Sequence, residues 1–283
     1  MRLIRFRAED GLVHTGVRES NKMYDLGAQN PLAPVLPAQL ASAPVMPYDE
    51  SRLEVPLPQV GKLLALAGNY RKHVSESGFT GPAGGVWTPQ VFWKPSTALL
   101  RHGGTVPLRQ KNNFFDWEAE LAVVIGGRAR NVRAEDAIDY VFGYTIVNDL
   151  SERKYNAEIE HRDKREFDPF FDWLMGKWFD GSAPLGPELV TADEVPNPSN
   201  LDLRLWLNGE LMQDSNTRNM IFHIPETIAA LTAVMTLEPG DVVAMGTPEG
   251  VGFARGRNLR PGDRLRAEIE SLGRLDTYIG EQA

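Results

Sequence analysis

Cysteine is absent from the 283 residues, which excludes disulfides, thiolate zinc sites and cysteine nucleophiles. Histidine is scarce, with five in the chain, so candidates for an imidazole base or ligand are few. No apolar run approaches the roughly 18 residues that a membrane span requires. The opening Met1-Arg2-Leu3-Ile4-Arg5-Phe6-Arg7 has no apolar signal-peptide core, so a cytoplasmic protein without a membrane partner is expected. Clustered positive charge is missing too: the net charge is −8 and the pI near 5.3. The densest basic run, Arg162-Asp163-Lys164-Arg165, is broken by an acid and reads as a solvated helix face. Nucleic acid is therefore not an expected partner.

What remains is ordinary core material, with 42% hydrophobic and 24% charged residues, enough for one large domain or one domain with a small appendage. Arg2 to Arg7 and Leu12 to Val17 read as strands of a hairpin turned at Asp10-Gly11. Prolines then recur from Pro31 to Pro58, which suits a linker better than a sheet centre. A boundary near residue 60 divides a small β-rich N-terminal domain with its linker, 1–60, from a larger domain, 61–283. Lys62 to Gly68 reads as a strand and Tyr70 to Glu76 as a short helix. The glycine-rich Gly78 to Gly85 reads equally as a lid or as a surface excursion.

Further on, the pattern predicts a helix over Ser151 to Phe167 and an aromatic-rich stretch from Phe170 to Phe179. Leu201 to Met212 turns at Asn208-Gly209 as a hairpin. Pro225 to Met235 is an amphipathic helix with Pro225 in its first turn. Two Pro-Gly-Asp turns launch the strands Val242 to Met245 and Arg264 to Ile269. Strands dominate without regular βαβ alternation, so a mainly β, α+β fold is expected.

Within this frame the segment Asp116 to Ile125 places Glu118 and Glu120 on one face of a strand, together with Ala122 and Val124. Two carboxylates on a half-apolar face are costly unless a cation compensates them. Taken alone, such a pair more commonly faces water on an edge strand. The apolar Gly143 to Asn148 run ends at a third acid, Asp149, placed to converge with a neighbour. Oxygen-only ligands from Glu118, Glu120 and Asp149 select Mg²⁺, Mn²⁺ or Ca²⁺ over zinc.

His73 and Glu76 share a helix face at i and i+3, where Glu76 could orient His73 as a general base for water. By itself this spacing is more often a surface pair. Gly246 to Gly252 could hold a carboxylate through its amides and the Thr247 hydroxyl, or be a plain turn. Lys94, Arg153 and Lys177 are the cations to watch beside an anionic substrate, although each could be a surface charge.

Taken in order, these segments resemble the fumarylacetoacetate hydrolase family. The resemblance rests on Gly68-Asn69-Tyr70 with His73 and Glu76, Phe92-Trp93-Lys94-Pro95, the Glu118/Glu120 strand and Asn148-Asp149-Leu150-Ser151-Glu152-Arg153. It continues through Gly176-Lys177-Trp178-Phe179-Asp180, Asn208-Gly209, Gln213-Asp214-Ser215-Asn216-Thr217 and Gly246-Thr247-Pro248. Together the motifs run from about residue 61 to 270.

The resemblance implies a mixed β-sheet roll as catalytic domain, a small β-rich N-terminal domain, a homodimer, and Mg²⁺ or Mn²⁺ on Glu118, Glu120 and Asp149. It implies that His73 and Glu76 activate water and that Lys177 lies beside the metal site. Substrate contacts are assigned to Lys94, Arg153, Thr247 and Tyr70. Gly181 stands where many members carry a threonine, and Asn156 where acylpyruvate-cleaving relatives carry a glutamine. The expected reaction is hydrolysis of a 2,4-diketo acid of acylpyruvate, fumarylpyruvate or diketo-deoxy sugar acid type, giving pyruvate and a carboxylic acid. Its enolate charge would be met by the metal and Lys177. Oxaloacetate decarboxylation and keto-acid isomerisation or dehydration are the alternatives on the same chemistry. A non-catalytic keto-acid binding protein is the alternative from another class.

Overall fold

A computed structural model describes residues 1–76, 78, 87–108, 113–155 and 161–281. Their strands form an 11-stranded sheet, a five-stranded sheet and a two-stranded pair, the mainly β, α+β architecture expected. The large sheet runs in the order Val45–Pro47, Lys22–Asp25, Val13–Glu19, Arg2–Arg7, Ala183–Thr191, Val141–Asn148, Ala119–Ile125, Val242–Ala244, Leu63–Ala67 and Gln90–Lys94. It is mixed, because Val242–Ala244 runs parallel to Leu63–Ala67. The first strand pairs with Ala183–Thr191 through Arg2↔Val190, so the N-terminal hairpin continues the same sheet. Within the proline-rich stretch, Val45–Pro47 is a strand at the sheet's outer edge, a place where Pro47 removes no interior ladder bond.

The central strand explains the sheet's position. All seven residues of Ala119–Ile125 are buried. Leu121, Val123 and Ile125 join a core with Leu203, Leu205, Leu265 and Leu275 of the five-stranded sheet. Ala122 and Val124 turn the other way, towards Leu63, Val147, Leu185 and Val242. Alternation thus feeds two cores from one strand, and each large side chain so buried contributes about 1.5–3 kcal/mol. A strand covered on both faces has no water-washed side, which removes the edge-strand alternative for its acids.

The five-stranded sheet contains the expected hairpin, as Asp202–Leu207 and Glu210–Asn216. The amphipathic helix forms at Ile224–Val234, burying Ile224, Thr227, Ile228 and Leu231.

Among the described residues of Ser151 to Phe167 the expected helix is not observed. Ser151–Glu152 pairs instead with Phe115–Asp116, and Arg153 N donates to Phe114 O at 2.7 Å. The helix is Asp168–Met175, with a proline in its first turn, so it takes in the front of the aromatic-rich stretch. Arg162 to Arg165 is therefore not a helix face: Arg162 Nη1 reaches Asp172 Oδ1 at 2.8 Å and Arg165 Nε reaches Asp168 Oδ1 at 3.1 Å. Most of the glycine-rich stretch considered as a lid, and Asn156, lie outside the described residues. Among the described residues no helix is long and apolar enough to cross a membrane.

Candidate active site

The acids meet because of strand register. Ala119 pairs with Asn148, so Glu118 and Asp149 face each other just beyond the ladder, and Asp149 N donates to Glu118 O at 2.8 Å. Asn148 Oδ1 accepts from Glu118 N at 2.9 Å. Glu118 thus sits in the link before the strand, yet converges with Glu120 and Asp149: one carboxylate oxygen of each lies within 4.8 Å of the others, and all three residues are buried.

Glu120 Oε2 accepts from Gly246 N at 2.7 Å, while its Oε1 has no hydrogen-bond partner among the described residues. An unpartnered buried acceptor costs about 1–3 kcal/mol, more when charged. That orphaned oxygen and the oxygen-only donor set fit a hard divalent cation.

Three cations surround the acids. Lys177 Nζ lies 2.7 Å from Glu118 Oε2 and 2.6 Å from Asp149 Oδ2. Its ammonium also stands 5.2 Å from the Phe92 ring centre. Lys94 Nζ donates to Asp149 Oδ1 at 2.6 Å and to the Lys177 carbonyl at 2.5 Å. With 1% exposure, Lys94 stands behind Asp149. Arg153 Nε donates to Asp116 Oδ2 at 2.9 Å, and its Nη2 reaches Glu118 Oε1. Among the described residues, the acids Asp116, Glu118, Glu120 and Asp149 thus outnumber these cations by one.

Electrostatics separate the two glutamates. Burial acts to raise the Glu118 pKa, but Lys177 and Arg153 outweigh it and hold the carboxyl well below its ordinary range. Glu120 is pushed well above that range by burial and by the charges of Asp149 and Glu118. Burial opposes the charge on Lys177, yet Asp149 and Glu118 raise its pKa. For Lys94 burial wins over Asp149 and the pKa falls. The acid without a cationic partner is therefore the one a bound dication would neutralise.

His73 Nδ1 lies 2.9 Å from Glu76 Oε1, and Glu76 Oε2 accepts from Gly250 N at 2.9 Å. A proton on Nδ1 directed at Glu76 leaves the lone pair on Nε2. Burial and the neighbouring Glu120 raise the pKa of Tyr70, and its buried hydroxyl has no hydrogen-bond partner among the described residues. Thr247 Oγ1 donates to Ala119 O at 3.0 Å and accepts from Gln213 Nε2 at 2.8 Å.

Asp116 and Gln213 were given no role from sequence. Asp116 shares the alternating register of Glu118 and Glu120, a signal that was available; it accepts from Phe253 N at 3.1 Å and also from Gly252 N, and so anchors Arg153. Gln213 opens the Gln213 to Thr217 motif of the family resemblance, but nothing in its local pattern assigns it a role. A separate cavity of about 560 Å³ involves Arg18, Tyr48, Glu188, Arg204 and Arg274. Its arginines are paired with acids, for example Arg18 with Glu188 and Arg274 with Glu50, and none of the site residues lines it.

Fold and site together define a member of a metal-using, mainly β enzyme family. The chain belongs to the fumarylacetoacetate hydrolase family: the family model described as fumarylacetoacetate (FAA) hydrolase C-terminal matches residues 62–279. The chain is 35% identical to the mitochondrial oxaloacetate tautomerase of Bos taurus, across 96% of this chain and 90% of that protein. The solved fumarylacetoacetate hydrolase of Exiguobacterium antarcticum superimposes with a TM-score of 0.83 at 28% identity, covering 100% of both chains. The maleylpyruvate hydrolase of Sphingobium sp. SYK-6, solved with manganese(II) and pyruvate, gives 0.77 at 31% identity, again over 100% of both chains. The family thus includes hydrolases and a tautomerase, and the manganese-bearing relative and the buried acids here both point to a divalent metal.

Proposed function

We propose that this protein is a divalent-metal-dependent hydrolase that cleaves the carbon–carbon bond of a 2,4-diketo acid, releasing pyruvate and a carboxylic acid. The observation that carries the reading is the His73–Glu76 pair, held by Gly250 beside a buried cluster of acids and lysines. A divalent cation on Glu118, Glu120 and Asp149 would polarise the keto oxygen and neutralise the substrate carboxylate when bound.

The chain's own groups supply the proton transfers. His73 Nε2 takes a proton from water while Glu76 steadies the imidazolium through Nδ1–H. The hydroxide adds to the C4 carbonyl, the C3–C4 bond breaks, and its electron pair passes into the enolate of pyruvate. The Lys177 ammonium stands where that charge develops. His73 then returns the proton to C3. Arg153 and Lys94 steady Glu118 and Asp149, and the Tyr70 hydroxyl and Thr247 are the proposed substrate contacts. A homodimer belongs to the same reading, and the mass in solution tests it.

The full-length similarity to an oxaloacetate tautomerase supports a second reading, in which His73 shuttles a proton between C3 and the enol oxygen and no water attacks. Purified protein with Mg²⁺ or Mn²⁺ separates the two. Release of pyruvate from acylpyruvates or diketo-deoxy sugar acids supports the hydrolase. Loss of enol-oxaloacetate absorbance with no cleavage of any diketo acid sinks the hydrolase and supports the tautomerase. Metal binding with no turnover on either panel leaves the keto-acid binding protein.

A further inference from the structure

Ala119 lies between Glu118 and Glu120, and its two strand edges are held differently. On one side it pairs with Asn148. On the other, Val242–Ala244 pairs only with residues 122–124, and Met245 N makes the last ladder bond, to Leu121 O at 2.9 Å. The chain then turns away at Gly246, where φ is +82° and an added Cβ would sit 2.7 Å from Asn69 Cβ. The ladder ends where the acids begin, and side chains replace it. Ala119 N donates to Gln213 Oε1 at 3.0 Å, and Ala119 O accepts from Thr247 Oγ1 at 3.0 Å.

Gln213 comes from the other sheet and is fully buried. Its Nε2 donates to Thr247 Oγ1 at 2.8 Å and to Pro248 O at 2.9 Å. The amide orientation follows from its partners, because Ala119 N–H can only donate and Pro248 C=O can only accept. Two residues beyond Pro248, Gly250 N holds Glu76. We infer that Gln213 is a positioning residue that sets the acid pair and, through the 246–250 loop, the His73–Glu76 pair in one geometry. This inference rests on the metal site of the proposed function.

A merely structural amide would lower stability and leave metal affinity alone, so the test reads both on the full chain. Gln213→Met keeps the length and removes all three hydrogen bonds. Gln213→Glu keeps the acceptor for Ala119 and removes the donors. Leu275→Ala, a buried change elsewhere in the five-stranded sheet, serves as the stability control. Mn²⁺ titration followed by electron paramagnetic resonance should show about 10- to 100-fold weaker binding for Gln213→Met and a smaller loss for Gln213→Glu. Leu275→Ala should bind as wild type even with a lower melting temperature. If Gln213→Met does not fold, Gln213→Glu decides. Affinity within twofold of wild type in the folded Gln213 variants, with the wild type binding Mn²⁺, overturns the inference alone. Wild-type protein that takes up no Mn²⁺ refutes the metal site and the inference together.

Discussion

Replacing Lys94 by methionine tests whether the charge balance of the cluster is what holds it together. Lys94 and Asp149 are each 1% exposed and their Nζ–Oδ1 distance is 2.6 Å, so solvent cannot substitute for a lost partner. Removing one member of such a pair costs about 3–5 kcal/mol. The lower figure applies here, because Lys177 still neutralises Asp149 Oδ2. An unfolding entropy of about 2.1 cal/mol/K per residue, over 283 residues, converts this to a fall in melting temperature of about 5 °C. The variant also leaves four acids, Asp116, Glu118, Glu120 and Asp149, facing two cations, Lys177 and Arg153, an imbalance that a dication would offset. The melting-temperature gain on adding saturating Mn²⁺ should therefore be larger in Lys94→Met than in wild type. Calorimetry on metal-free and Mn²⁺-loaded protein measures both quantities. A fall under 1 °C, or a metal increment no larger than that of wild type, refutes the charge-balance reasoning.

Three further outcomes are expected. His73→Ala should lower hydrolytic kcat by about 10²- to 10⁴-fold with Mn²⁺ affinity retained, and activity within tenfold of wild type would remove His73 as the base. Gly250→Ala should destabilise the protein by about 1–3 kcal/mol and reduce turnover through Glu76, because Gly250 has φ +97° and an added Cβ would meet Met212 O at 2.2 Å; denaturant melts and turnover at wild-type level would contradict this. Burial holds the His102 pKa below its ordinary 6.5, against the pull of Asp276 and Glu50, so the unfolded chain binds a proton that the folded chain resists. That stability is complete above about pH 6.5 and is lost as pH falls. Urea midpoints at pH 7 and 5.5 should differ less in His102→Gln than in wild type, and equal differences would dismiss the assignment.

Much of the fold was legible where structure depends on residues a few positions apart. Asn208-Gly209 set the hairpin, Pro225 and its apolar stripe set the helix, and alternation placed Glu118 and Glu120 with Ala122 and Val124. The misplaced helix shows the limit. Ser151 and Glu152 were drawn into pairing with Phe115 and Asp116, a contact that local pattern does not encode. Aromatic density at Phe170 and Phe171 concealed the helix that does form.

The same division runs through the site. By itself the sequence determined which groups could do the chemistry: oxygen ligands without thiolates, the His73–Glu76 pair at helical spacing, and three candidate cations. Only the tertiary structure decided their pairings, placing Lys177 on Glu118 from 59 residues away and Lys94 on Asp149 from 55. Two glutamates two residues apart thereby acquire opposite pKa shifts. The physical reason is distance: periodicity and turn chemistry act within a few residues, whereas the field at a buried carboxylate is set by whichever charges folding brings within a few ångströms.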